Sequence, residues 1–205
     1  MVAARDERLI SLVGNDIYVR RLGNGALGNR YNVYHVGDEL RDPDDGDVVG
    51  YQGLHTGEAN LNRVGDPATL RVVDSARETL EDDILLDIEH EPKMNFIPRA
   101  PGVQVDGTIM SVIDERTVVA DYDVVIINRG SRHGLEPGHV LEVWEAGEEV
   151  LDTTPNPKSR RVQLPDERNG VTLIFKAYDH ISYGLMWRSD REVKVGDMVR
   201  SPAAG

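Results

Sequence analysis

No cysteine occurs among the 205 residues, so disulfides, thiol nucleophiles and thiolate metal sites are excluded. Lysine is almost missing as well. Of 23 basic residues only Lys93, Lys158, Lys176 and Lys194 are lysines, and 36 acids bring the net charge to -13. A chain of that sign repels phosphate, which argues against nucleic acid and anionic lipid as partners. No apolar run approaches the roughly 18 residues of a membrane-spanning helix; the longest are short pieces such as Val124 to Ile127. The first residues, Met1 to Glu7, carry no apolar stretch of signal-peptide type. That is expected of a cytoplasmic protein or of a fragment separated from its export signal. Aromatic residues amount to 5%, and no segment carries an apolar stripe of helical period over three turns.

The chain has short runs rich in β-branched and aromatic residues: Ile17 to Val19, Tyr31 to Val36, Leu70 to Val73, Val140 to Trp144, Val171 to Ala177 and Ser182 to Trp187. Turn sequences bracket them, among them Pro43-Asp44-Asp45-Gly46, Pro137-Gly138 and Gly196-Asp197. This is an all-β pattern of the barrel or sandwich kind.

The pattern is also written twice. Ser75, Arg77, Glu78 and Asp83 return as Ser189, Arg191, Glu192 and Asp197, a shift of 114. Gly57 returns as Gly170 at a shift of 113, and Gly28, Val33, Tyr34, Gly37 and Asp42 return as Gly138, Val143, Trp144, Gly147 and Asp152 at 110. Leu9 to Val13 matches Ile109 to Ile113 at a shift of 100. Two tandem, homologous small β domains are expected, at 8–88 and 106–202, joined by a proline-rich connector at 89–105. The aligned Tyr34 and Trp144 are expected to be core aromatics. The second copy enlarges one hairpin into a loop at 152–170, where binding can be added to a repeated scaffold.

Candidate chemistry is sparse. The nucleophile-elbow, phosphate-loop and dinucleotide glycine patterns do not occur, and the six histidines show no zinc spacing. Asp83 and Asp197 each close a repeat before a final apolar strand, and a turn role accounts for both better than catalysis. Asp42 to Asp47 departs from a calcium loop at its fifth and sixth positions and is expected to be a hairpin turn. His133 and His139 flank a glycine-proline turn and are expected to face solvent. No catalytic, cofactor-binding or metal-binding residue is assigned. The expected partner-binding surface is the enlarged loop, through Arg160, Arg161, Asp166, Glu167 and Arg168.

The second copy carries a longer signature: Asn128-Arg129-Gly130, Gly134-Leu135-Glu136-Pro137-Gly138-His139-Val140-Leu141, Val162-Gln163-Leu164-Pro165-Asp166-Glu167-Arg168, Ser182-Tyr183-Gly184-Leu185 and Val195-Gly196-Asp197-Met198-Val199. The first adds Arg41-Asp42-Pro43, Gly50-Tyr51 and Gly65-Asp66-Pro67-Ala68-Thr69-Leu70. Together, from about Asp6 to Pro202, these resemble the region that follows the LysM module in a family of proteobacterial LysM-containing envelope proteins. The resemblance implies a periplasmic, cell-wall-associated protein whose peptidoglycan contacts come from a LysM module outside this sequence, with an envelope protein as a further partner. The expected function is non-enzymatic binding or scaffolding. The alternative is a cell-wall hydrolase with an acid pair in an inter-domain groove.

Overall fold

The computed structural model describes residues 2–4, 10–11, 13–23, 25–88, 96–113, 118–151 and 161–203. Apart from one turn of 3-10 helix at Ser131–His133, the regular structure is β. Strands are numbered in chain order: β1 (Val2–Ala4), β2 (Ile10–Ser11), β3 (Asp16–Val19), β4 (Arg30–Arg41), β5 (Val48–Arg63), β6 (Ala68–Ser75), β7 (Thr79–Leu80) and β8 (Ile84–Asp87). There follow β9 (Asp106–Val112), β10 (Val118–Val119), β11 (Val124–Ile127), β12 (Val140–Glu145), β13 (Glu149–Leu151), β14 (Arg161–Gln163), β15 (Glu167–Ala177), β16 (Ser182–Ser189), β17 (Val193–Lys194) and β18 (Met198–Arg200).

The chain divides into two compact units. One comprises Met1–Glu39 with Gly50–Glu91, the other Leu40–Val49 with Pro92–Gly205. In the first, six strands run in the order β1-β3-β6-β5-β4-β8, with β2 and β7 as a separate pair. The second holds a closed barrel that reads β9-β11-β16-β15-β12-β18, with β10 and β17 as a separate pair. The two orders are the same order. Inward positions alternate along β3, the start of β4, β6, β12 and the start of β16, as a half-buried sheet requires. Ile17 and Val19, Tyr31 and Val33, Ala59 and Leu61, and Leu70 and Val72 fill the first core. Val125 and Ile127, Leu141 and Val143, Ile174, Met186 and Val199 fill the second.

Three of the four shifts coincide with equivalent registers in the two units. Val33 faces Leu85 as Val143 faces Val199, and Gly57 faces Ser75 as Gly170 faces Ser189. The ladders even slip at matching places, between Glu58 and Ala59 and between Val171 and Thr172. The fourth shift is corrected. Ile10 pairs Leu80 where Val118 pairs Lys194, so the N-terminal offset is 108 and not 100. Ala4 opposite Ile17 likewise matches Val112 opposite Val125. Ile10–Ser11 and the 109–112 stretch of β9 therefore belong to different strands, alike only in hydropathy.

Tyr34 and Trp144 are half-buried rather than central. Val33 and Val143 already occupy the inward positions, so by the period of two their neighbours point the other way. The Tyr34 ring meets His55 edge-on at 5.4 Å, and the Arg200 guanidinium lies 5.9 Å from the Trp144 ring.

Candidate binding surface

Residues 40–49 lie between the arms of β4 and β5 and group with the second unit. They form the expected hairpin turn. The Gly46 amide donates to the Asp42 carbonyl at 2.8 Å, the Asp44 amide to Asp42 Oδ1 at 3.0 Å and the Asp47 amide to Asp45 Oδ1 at 2.9 Å. Gly46 takes φ +81°, which a side chain would disfavour. Leu40 packs with Ile126 and Ile181. Asn128, fully buried, donates through Nδ2 to Asp42 Oδ1 at 2.7 Å and to Asp44 Oδ2 at 3.2 Å, while its Oδ1 accepts the Thr108 amide at 2.7 Å. Arg129 adds an ion pair to Asp44 at 2.7 Å. Burial alone would raise the Asp42 carboxyl. The Asn128 amide, the Asp44 amide and the Arg129 cation outweigh it and hold the group below its ordinary value. Asp42, Asp44 and Asp45 are thus occupied within the protein.

The matching arms of the second unit continue as a ribbon of β13 and β14, paired Glu149 to Gln163, Val150 to Val162 and Leu151 to Arg161. Where the arms cross, a Cβ on Gly147 would collide with the Leu164 carbonyl, so glycine is needed there. The ribbon is exposed, with Leu151 61% accessible and Val150, Val162 and Leu164 also open to solvent. At its foot Glu145, Gly147, Glu148, Leu164, Pro165 and Glu167 line a hollow of about 250 Å³.

The expected loop residues do not converge on one point. Arg160 lies outside the described residues. Arg161 pairs with Glu149 at 3.3 Å along the ribbon. Asp166 accepts the Gly147 amide at 3.2 Å and pairs with Arg200 at 2.9 Å. Those two contacts, the amide first, hold its carboxyl below the usual range. Glu167 pairs with Arg191, and Arg168 with Glu142 at 3.1 Å. Exposed pairs of this kind contribute about 0–1 kcal/mol each. They fix the base of the ribbon more than they stabilise the fold. Of the partners, Glu142 comes from β12, Arg200 from β18 and Arg191 from the bend after β16, and no spacing in the sequence signals them.

Asp83 and Asp197 hold the predicted turn role. The Leu80 amide donates to Asp83 Oδ2 at 2.9 Å and the Lys194 amide to Asp197 Oδ2 at 3.1 Å. Their surroundings differ. His35 Nδ1 lies 2.8 Å from Asp83 Oδ1, whereas the matching position in the second unit is Glu145, paired with Lys194 at 2.7 Å. Burial and then the Glu145 carboxylate push Asp197 up, against the Lys194 amide, the Lys194 ammonium and the Asn169 amide. Its folded value stands above the ordinary 3.8. This contribution to stability is therefore complete below 3.8 and is lost as pH rises through the folded value. Denaturant unfolding of Asp197→Asn and the parent from about pH 4 to pH 7 is expected to show that decline only in the parent. Parallel curves would refute it.

His133 and His139 do not face solvent as expected. His139 is buried, with Nδ1 accepting the Glu136 amide at 3.1 Å, and His133 is half-buried, accepting the Gly130 amide at 3.0 Å. Desolvation leads the lowering of both imidazole pKa values. Each histidine caps a turn's unpaired amide. Among the described residues, no group of three or more His, Cys, Asp or Glu is placed to hold a metal ion, and no helix is long and apolar enough to cross a membrane. Comparison with protein-family models and with curated proteins finds no match.

Proposed function

We propose that this chain is the C-terminal portion of a LysM-bearing envelope protein, where it acts as a non-enzymatic binding and scaffolding module. In this reading the LysM module holds peptidoglycan in the periplasm, and the present region engages an envelope protein. The ribbon carries the proposal. Its exposed Val150, Val162 and Leu164 lie on one face of the ribbon by the period of two, an apolar surface on a braced support, the kind of patch that protein partners cover.

The test compares residues 1–205 with the longer LysM-containing polypeptide in co-sedimentation with purified peptidoglycan. Only the longer chain is expected to sediment. Binding or hydrolysis of peptidoglycan by residues 1–205 alone would sink the reading. Val150→Asp combined with Leu164→Asp is expected to abolish recovery of an envelope partner while leaving tryptophan fluorescence unchanged. Undiminished recovery would remove the ribbon from the proposal.

A further inference from the structure

A cavity of about 280 Å³ opens in the first unit between the end of β3 and β8, lined by Val19, Arg20, Tyr31, Ile84, Leu85 and Leu86 among others. The matched registers assign each lining residue a counterpart in the barrel. These are Ile127, Asn128, Leu141, Met198, Val199 and Arg200 in turn. They flank the first half of β9. Met198 faces Thr108, Val199 faces Gly107, Arg200 faces Asp106 and Ile127 faces Ile109. The Asn128 amide donates to the Thr108 carbonyl at 3.2 Å, and the Ser201 amide to the Val105 carbonyl at 3.0 Å.

The cavity therefore has the place, edges and register of a missing β-strand. Among the described residues β8 pairs only with β4, leaving its other edge open. The consequence is visible in packing. Val199 is fully buried under β9, whereas its counterpart Leu85 is only partly buried, and Ile84 and Leu86 are 39% and 51% exposed. An open edge of this kind accepts an extended segment through main-chain hydrogen bonds. The direction of entry is also given. β1 stands where the second half of β9 stands, antiparallel to β3, so polypeptide joined ahead of Val2 runs into the slot.

We propose that this slot is a strand acceptor, filled in the longer protein by the residues that immediately precede Met1, which complete a six-stranded barrel like that of the second unit. The proposal rests on the reading that a LysM module lies upstream. It adds that the connection from that module is a barrel strand held by backbone hydrogen bonds, and not a loose tether. By the barrel's pattern the segment alternates apolar or small inward residues with polar outward ones, as Val105, Gly107 and Ile109 alternate with Asp106 and Thr108.

The test adds Val-Asp-Gly-Thr, the sequence of residues 105–108, directly ahead of Met1, which places it in the β9 register. Hydrogen exchange of the Leu85 and Asp87 amides, followed by NMR, reads the outcome. Exchange is expected to slow by about tenfold or more relative to residues 1–205. A Val-Asp-Pro-Thr extension is expected to leave it unchanged, because proline removes the required N–H. No slowing by either Val-Asp-Gly-Thr or a free peptide of residues 104–110 overturns the acceptor and leaves the LysM reading standing. Slowing by a free peptide of residues 104–110, without slowing by the covalent extension, overturns the proposed source. A reading frame that begins at Met1 overturns the occupant together with the LysM reading.

Discussion

Asn128→Ala is expected to lower the stability of the second unit by about 2–5 kcal/mol, since each buried polar group left unpaired costs about 1–3 kcal/mol. Asn128 fills all three of its roles at once. Its amide nitrogen meets Asp42 and Asp44, and its oxygen takes the Thr108 amide. Truncation leaves the buried Asp42 carboxylate with the Asp44 amide as its remaining close donor and orphans the Thr108 N–H. Trp144 and Trp187, the two tryptophans, both belong to the second unit, so fluorescence-detected denaturation reports that unit alone. The effect is expected to shrink in acid. Asp42, held below 3.8 in the folded state, contributes stability that is present above 3.8 and lost as pH falls through the lower folded value. A loss below about 1 kcal/mol at neutral pH, the net worth of one ordinary hydrogen bond, would show that Asn128 does not hold residues 40–49.

That arrangement marks the limit of what the residues disclosed in one dimension. Features set by local backbone demands were legible: the strands, the hairpin at Asp42 to Asp47, the turn carboxylates Asp83 and Asp197, and three register shifts. Turn and capping chemistry acts over three or four residues, so it appears in the sequence directly. The N-terminal shift was misplaced because hydropathy alone cannot tell one apolar strand from the next. A better signal was present in Asp6-Glu7-Arg8 and Asp114-Glu115-Arg116, which are identical and separated by 108. The grouping of Leu40 to Val49 with the second unit was not legible. It depends on Ile126, Asn128, Arg129 and Ile181, some 80 to 140 positions away. The burial of His139 escaped notice for the same reason, since the turn it caps is closed by tertiary packing. Of the expected loop residues, Asp166 and Arg168 proved to be braces whose partners Arg200 and Glu142 could be named only in three dimensions.

The second large effect is expected at the paired glycines. Gly57→Ala and Gly170→Ala should each cost about 1–3 kcal/mol, in the manner of overpacked cores. A Cβ on Gly57 would run into the Asp74 carbonyl, and one on Gly170 into the Arg188 carbonyl. These are the same atom of the repeat at a shift of 114. Both glycines sit beside the ladder slip, where the bulged strand brings the partner's backbone unusually close. The obstacle is backbone in a central strand pair, so it cannot swing aside as a side chain could. Because the constraint is geometric and common to both ladders, the two costs should be similar although the surrounding residues differ. Fluorescence should detect Gly170→Ala and miss Gly57→Ala, while circular dichroism should detect both. A neutral Gly170→Ala would mean that the slip between Val171 and Thr172 can relax. In that case glycine at 57 and 170 would owe nothing to the close approach of the neighbouring strand.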